Sequence, residues 1–124
     1  MARIEGFRDL MVYQRARAEA RGIFELTVRF PAEEKYSLTD QIRRSSRAVV
    51  AMIAEAWARR RYKAAFINKL NEALGEAMET QSWLDSALDC KYIDEARYAA
   101  ADEEWRQIGA MIAGMIDKAD SFCD

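Results

Sequence analysis

The sequence predicts an all-α protein that folds as an up-down-up-down antiparallel four-helix bundle. Its 124 residues are 51% apolar and 32% charged, with five glycines and one proline, a composition typical of helix-rich globular proteins. Apolar residues recur at spacings of three and four in four successive segments, and no segment alternates as a half-buried strand does. The connections are short, which favours antiparallel neighbours. We therefore expect one domain over residues 1–124.

The first helix is predicted over about residues 9–29. Phe30 and Pro31 end it, because the residue before a proline is disfavoured in the helical conformation. Seven residues at helical spacing form its apolar face: Leu10, Tyr13, Ala16, Ala20, Ile23, Phe24 and Thr27.

The second helix is predicted over about residues 39–60. Ser37 or Thr39 is the expected N-cap, and Asp40 would complete a capping box that starts at Ser37. The residues expected to be buried share one stripe: Ile42, Ser46, Val49, Ile53, Ala56 and Trp57.

The third helix is predicted over about residues 63–89, and a second apolar stripe containing Ile67 and Trp83 indicates contact on more than one side. Lys91 follows it where a turn glycine would be usual, so it must adopt a left-handed conformation or change the turn. Its main stripe comprises Phe66, Leu70, Ala73, Leu74, Ala77, Gln81, Leu84 and Leu88.

The fourth helix is predicted over about residues 94–120, with Asp94 as its N-cap. Its apolar positions again recur every three or four residues. They are Tyr98, Ala101, Trp105, Ile108, Ile112, Met115, Ile116 and Ala119.

Charge is distributed very unevenly along the chain, although the net charge is only −2. Residues 41–70 hold eight basic side chains and one acidic one, whereas residues 71–124 hold four basic and thirteen acidic ones. Residues 1–40 are balanced, with seven of each. Such a split favours association with a second copy of the chain, and it also offers a basic face to anionic partners.

The sequence contains no histidine, which removes the side chain most used for acid–base catalysis near neutral pH and the commonest transition-metal ligand. Glu72, Glu76 and Glu79 follow helical spacing, but bundle metal sites pair such residues with histidines. Two cysteines, Cys90 and Cys123, lack any redox or zinc spacing. We therefore predict no enzymatic activity, no metal and no cofactor.

Two groups of residues are candidates for binding. The run from Arg59 to Lys63 can bind phosphates, with Tyr62 stacking on a base, or it can complement the helix dipole while Arg59 pairs with Glu55. The tentative nucleic-acid site comprises Arg59, Arg60, Arg61, Tyr62, Lys63, Arg3 and Arg8. Arg43, Arg47 and Arg61 flank the core stripe. For Arg43, Arg44 and Arg47, contacts with acidic residues of a neighbouring subunit are favoured over an external ligand. The tentative oligomer interface comprises Arg43, Arg44, Arg47, Ile67 and Trp83.

Four segments carry a family resemblance: FRDLMVYQRA from Phe7, FP at Phe30 followed by YSLTDQIRRSS, IAE at Ile53, and ALGEAMETQSWL from Ala73. In order and spacing the chain resembles the four-helix-bundle family also called the 23S rRNA intervening-sequence protein family, over Phe7 to about Ile93. The resemblance implies a homo-pentameric barrel or ring with suspected nucleic-acid association. A more distant similarity is to the accessory variability protein of diversity-generating retroelements, which serves a reverse transcriptase.

The chain departs from the family pattern at Val49–Ala56, where a proline, a polar pair and a glycine are replaced by helix-compatible residues. We accordingly expect a straighter second helix, and Met52 cannot supply the hydrogen bonds of the asparagine usual there. The predicted function is an oligomeric binding or scaffold protein, with RNA, DNA or a reverse transcriptase as candidate partners. The alternative is a purely structural homo-oligomer whose basic segment is used in subunit contacts. The N-terminus lacks a signal-peptide core, so a cytoplasmic protein without a membrane partner is expected.

Overall fold

The computed structural model describes residues 3–123, and over this range the chain is helical, with no strand. Four long helices account for most of it: α1 (Met11–Thr27), α2 (Leu38–Ala58), α3 (Lys63–Asp89) and α4 (Glu95–Asp117). A short α5 (Ala119–Phe122) follows, and single 3-10 turns lie at Phe7–Asp9 and Ala32–Glu34. The predicted all-α fold with four long helices is confirmed.

The helices pack in chain order. The α2–α3 and α3–α4 pairs share the largest contacts, while α1 packs mainly on α2 and less extensively on α4. At one end the Phe30 and Tyr92 rings meet with centroids 5.4 Å apart, which joins the α1–α2 and α3–α4 connections. At the other end Phe66 stacks on Phe122 of α5 at 6.1 Å. These end contacts are those of an antiparallel up-down-up-down arrangement.

Most of the core is built from residues that the periodicity indicates, but Phe24 of the predicted α1 face is 42% exposed, and Val12, outside that face, is buried. Ile42, Val49 and Ile53 of α2 are fully buried, as are Phe66 and Leu70 of α3. Among residues 3–123, one buried side-chain hydrogen bond crosses this interface, where the hydroxyls of Ser45 and Thr80 lie 2.8 Å apart. Because each hydroxyl has one proton, one of them donates across the interface and the other donates to a carbonyl group of its own helix, so neither is left unsatisfied.

The N-terminus of α2 is capped differently from the prediction. Ser37 occupies the N-cap position, but its hydroxyl donates to the Glu34 carboxylate instead of capping the helix. Glu34 Oε1 accepts the backbone N–H of Leu38 at 3.3 Å. The predicted capping box of Ser37 and Asp40 is therefore wrong, because a carboxylate from the preceding 3-10 turn takes its place.

Helix α4 ends earlier than predicted, at Asp117 instead of about residue 120. Lys118 leaves the helical conformation, and the chain restarts as α5. The change of direction buries Ala119 and brings Phe122 against Phe66, so apolar contact with α3 explains the break.

The turn after α3 adopts the left-handed alternative at Lys91, whose φ is 62°. The N–H of Tyr92 donates to the carbonyl of Ala87, and the N–H of Lys91 donates to that of Leu88, each at 2.9 Å. This pair of bonds is a Schellman motif. Asp94 then caps α4 as predicted, accepting from the N–H of Arg97 at 2.7 Å.

The left-handed position of Lys91 leads to a stability prediction. A side chain in this region costs about 1 kcal/mol relative to glycine. Lys91→Gly should therefore raise the melting temperature by about 4 °C, as measured by circular dichroism. Lys91→Ala is the matched control, since it removes the charge but retains the Cβ, and it should not give this gain. An unchanged or lower melting temperature in Lys91→Gly would contradict the assignment.

Two tyrosine–carboxylate bonds make stability depend on pH. Tyr92 donates to Glu34 at 2.8 Å and Tyr98 donates to Asp85, and these bonds raise the pKa of each tyrosine to about 12. A raised folded-state pKa gives stability that is complete below the unfolded pKa of about 10 and is lost as the pH rises towards 12.

We expect urea midpoints to fall between pH 10 and pH 12, and Tyr92→Phe should make that fall shallower. Tyr36→Phe is the matched control, because Tyr36 is 84% exposed and its hydroxyl has no hydrogen-bond partner within residues 3–123. The same pH profile in Tyr92→Phe and the unmodified protein would show that the Tyr92–Glu34 bond does not contribute.

Candidate anion-binding site

A depression of about 430 Å³ lies between α1 and α2. Its floor is apolar and aromatic, and its rim is formed by three exposed arginines, Arg17 and Arg21 of α1 and Arg47 of α2. The lining residues are Tyr13, Arg17, Ala20, Arg21, Phe24, Arg47, Val50 and Ala51.

A second depression of about 340 Å³ continues the first towards the N-terminal end of α1. It shares Tyr13, Arg17 and Arg21 with the first and adds Arg8 and Gln14. The Gln14 side-chain amide donates to the backbone carbonyl of Arg8 at 2.8 Å, which ties the preceding turn to the helix. We call the two depressions together the arginine groove.

The charge of the arginine groove is unbalanced. Its four arginines (Arg8, Arg17, Arg21 and Arg47) are exposed, and none forms an ion pair with any residue between 3 and 123. No carboxylate is among the described residues that line it. By contrast Arg15, on the other flank of α1, donates to Glu104 at 2.6 Å. The groove therefore presents guanidinium groups whose hydrogen-bonding capacity is available to an anion.

Phe24 organises one end of the groove. Its ring is 42% exposed and is approached by the guanidinium groups of Arg43 at 4.5 Å and Arg47 at 5.7 Å. Arg43 is also fixed by a 2.8 Å bond from its Nε to the buried hydroxyl of Thr27. These cation–π contacts hold the arginines against an apolar surface and reduce the rotamer freedom that Arg47 would lose on binding.

Beyond Arg47 the basic surface continues into a further depression of about 550 Å³ at the N-terminal end of α2. Lys35 and Tyr36 line it together with Thr39, Asp40, Arg43, Arg44 and Arg47. Arg47 is common to this depression and the arginine groove, so the two surfaces are continuous.

The predicted nucleic-acid-binding residues at the α2–α3 junction are only partly free of contacts within the chain. Arg60 lies over the Trp57 ring at 3.5 Å and donates to its carbonyl. Lys63 pairs with Asp120 at 2.6 Å, and the hydrogen bond and charge of that carboxylate raise the pKa of Lys63.

Arg59, Arg61 and Tyr62 are exposed and have no side-chain partner within the described residues. The alternative pairing of Arg59 with Glu55 does not form, because Glu55 lies 3.4 Å from Lys69. Arg3 is exposed as well, and Arg8 lies in the arginine groove.

The tentative interface residues also have intrachain contacts. Arg44 pairs with Glu79 at 2.6 Å and with Glu76 at 3.7 Å, both on α3 of the same chain. Its acidic partners are thus found without a neighbouring subunit. Ile67 and Trp83 are half-buried and pack against the core of their own chain.

Arg17 and Arg21 are binding candidates that sequence reasoning missed. They stand four residues apart on the exposed side of the first helix, a spacing that places them on one face. The balanced charge of residues 1–40 hid them, because a charge count does not show that no described carboxylate lines this groove. The detectable signal was a pair of arginines one helical turn apart beside the aromatic residues Tyr13 and Phe24.

Within residues 3–123 no three acidic or cysteine side chains cluster in a way that could hold a metal ion. The same part of the chain has no helix long and apolar enough to span a membrane.

Comparison with known proteins identifies the family. A crystal structure of a protein of unknown function from the S23 ribosomal protein family of Bacteroides thetaiotaomicron is 32% identical to this chain, with a TM-score of 0.78. The match covers 86% of this chain and 95% of that one. No curated protein matches. The family model described as 23S rRNA-intervening sequence protein matches residues 8–114. The chain therefore belongs to the 23S rRNA-intervening sequence protein family.

Proposed function

We propose that this protein is a non-enzymatic binding protein whose arginine groove binds the phosphate backbone of a nucleic acid. The observation that carries the proposal is the set of four exposed arginines without ion-pair partners in the described chain, around a groove that no described carboxylate lines. Phosphates are the anions that planar guanidinium groups bind most effectively, because two N–H donors can face two oxygens.

The length of the groove favours a polymer over a single small anion. On α1 the lining residues run from Tyr13 to Phe24, eleven positions, which corresponds to roughly 16 Å along the helix axis. That distance spans about five nucleotide steps at the ~3.4 Å rise of one strand in B-form DNA. One isolated phosphate would contact only part of it, whereas a nucleic-acid backbone offers a charge for each arginine.

The protein also acts, in this proposal, as a ring-shaped homo-oligomer, with the pentamer that the family resemblance implies. The supporting observation is the division of charge between the basic segment of residues 41–70 and the acidic segment of residues 71–124. Opposite surfaces of this kind steer copies of one chain together. A ring would repeat the arginine groove around its circumference and increase the avidity for a long strand.

A second candidate function is supported by the same charge division. An acidic surface of a neighbouring subunit would complement the arginine groove as well as a phosphate backbone would. The protein would then be a structural homo-oligomer, with Arg17, Arg21 and Arg47 as subunit contacts. Substitution of these arginines separates the two functions, because one predicts loss of nucleic acid and the other loss of assembly.

The test is the variant Arg17→Gln/Arg21→Gln/Arg47→Gln, compared with the unmodified protein by fluorescence anisotropy at several salt concentrations. We expect weaker binding for all sequences alike, because phosphate contacts carry no sequence information. The slope of log Kd against log salt should fall by about 2, because each phosphate contact with a single strand contributes about 0.7.

Arg29→Gln/Arg97→Gln/Lys118→Gln is the matched control, since it removes the same charge from three exposed basic side chains outside the groove that form no ion pair with any residue between 3 and 123. This control should retain most of the affinity and the salt slope. Equal losses in both variants would indicate a general effect of net charge and contradict a defined site.

Light scattering of the same proteins tests the assembly. We expect a particle of several chains for the unmodified protein and for the groove variant at micromolar concentration. A monomeric unmodified protein would refute the oligomer. An oligomer that dissociates only in the groove variant would establish the structural function instead.

A further inference from the structure

Tyr36 stands out among the exposed side chains. Its ring is 84% exposed, more than any other large apolar or aromatic side chain in residues 3–123. A single exposed aromatic ring is common on a protein surface, so what Tyr36 can do depends on how it is held and on what lies beside it.

The backbone that carries Tyr36 is firmly held. On its N-terminal side, the N–H of Lys35 donates to Ala32 at 3.1 Å. On its C-terminal side, the N–H of Ser37 donates to Glu34 at 3.0 Å. The Glu34 carboxylate in turn accepts hydrogen bonds from Tyr92, Ser37 and Leu38. The ring is therefore presented on a rigid support, which lowers the entropy lost when something stacks on it.

The surroundings of Tyr36 connect it to the arginine groove. The ring borders the basic depression that shares Arg47 with the groove. Within that depression Arg44 is held by Glu79 and Arg43 by Thr27. The side chains of Lys35 and Arg47 have no hydrogen-bond partner within residues 3–123, and Lys35 lies over one face of the Tyr36 ring at 5.3 Å. Asp40 also lines it, so the local positive charge is lower than in the groove itself.

We propose that Tyr36 is a stacking platform for an unpaired base, so that the protein binds single-stranded in preference to duplex nucleic acid. The inference rests on the proposed function of the arginine groove. A basic track with an exposed aromatic ring at its end is the combination that single-strand binding uses, because every base has a π-face. Paired bases are stacked inside a duplex and cannot reach a protruding ring. Single-stranded RNA and single-stranded DNA share this chemistry.

Tyr62 provides a matched comparison at the opposite end of the bundle. Its ring is 67% exposed and lies beside Lys63, whose charge is engaged by Asp120. Tyr62 lines neither depression of the arginine groove nor the basic depression next to it. If exposure alone determined stacking, Tyr36 and Tyr62 would contribute equally to the affinity for single strands. If the connection to the groove matters, only Tyr36 contributes to that affinity.

The experiment measures the affinity of the unmodified protein and of Tyr36→Ala, Tyr36→Phe and Tyr62→Ala. The probes are labelled oligo(U) and oligo(dT) of about 16 nucleotides and a labelled DNA duplex of about 16 base pairs. That length is at the upper end of the number of nucleotides that one small single-strand-binding domain covers. We expect tighter binding of the single strands than of the duplex. Tyr36→Ala should weaken single-strand binding about tenfold and leave duplex binding unchanged. The affinities of Tyr36→Phe and Tyr62→Ala for each probe should stay within about twofold of the affinity of the unmodified protein.

The two single-stranded probes show whether RNA or DNA is the better ligand. Duplex preference, equal losses for all probes, or a larger loss in Tyr62→Ala would overturn the assignment of Tyr36 while leaving the proposed function of the groove intact. No binding to any probe would overturn both. Light scattering completes the test, since a smaller particle in Tyr36→Ala would make Tyr36 a subunit contact instead.

Discussion

The packing of α2 between α1 and α3 is the constraint on which the rest of the structure depends. Ile42, Val49 and Ile53 are fully buried, and their burial fixes the rotation of the helix about its axis. That rotation also fixes the direction in which each arginine of α2 points. Arg43 and Arg47 lie towards α1, where Phe24 receives them, and Arg44 lies towards α3, where Glu79 receives it. The buried stripe thus determines which neighbouring helix each of these arginines contacts.

The cations of the protein fall into two groups: those that pair with a carboxylate of the same chain, and those that have no such partner among residues 3–123. Arg15, Arg44 and Lys63 each pair with a carboxylate of the same chain, and such exposed pairs contribute little to stability, about 0 to 1 kcal/mol each. Their main effect is to remove charge from those surfaces. The arginines of the groove keep their charge unpaired within residues 3–123, so a basic surface lies between α1 and α2, in addition to the one formed by Arg59 and Arg61.

Much of the fold follows from local chemistry. Most residues of the stripes that predict α2 and α3 are buried, although Trp57 and three residues of the α3 stripe are only partly so. The cap at Asp94 was expected from the sequence, and the left-handed Lys91 is one of the two alternatives that the sequence left open. The failed prediction at the start of α2 has a different origin. Glu34 caps that helix because a separate 3-10 turn brings its carboxylate within reach, and a motif search within the helix does not consider it.

The candidate site was less predictable than the fold, because it is formed by pairing two helices. Neither Arg17 and Arg21 nor Arg47 alone identifies a groove. Sequence reasoning selected the run from Arg59 to Lys63 because its charges are contiguous. In the structure Arg60 contacts Trp57, three residues away, and Lys63 pairs with Asp120, 57 residues away. The first contact can be expected from the sequence, whereas the second depends on the tertiary structure.

The central claim is that nucleic acid lies along the arginine groove, and photo-cross-linking tests it most directly. A single strand containing 4-thiouridine would be irradiated in complex with the unmodified protein, and the attachment sites would be mapped by mass spectrometry. We predict cross-links in residues 13–24 of α1 and in residues 36–51, which include the exposed ring of Tyr36 and the N-terminal part of α2. Cross-links confined to residues 59–63, or to the acidic surfaces of α3 and α4, would contradict this account.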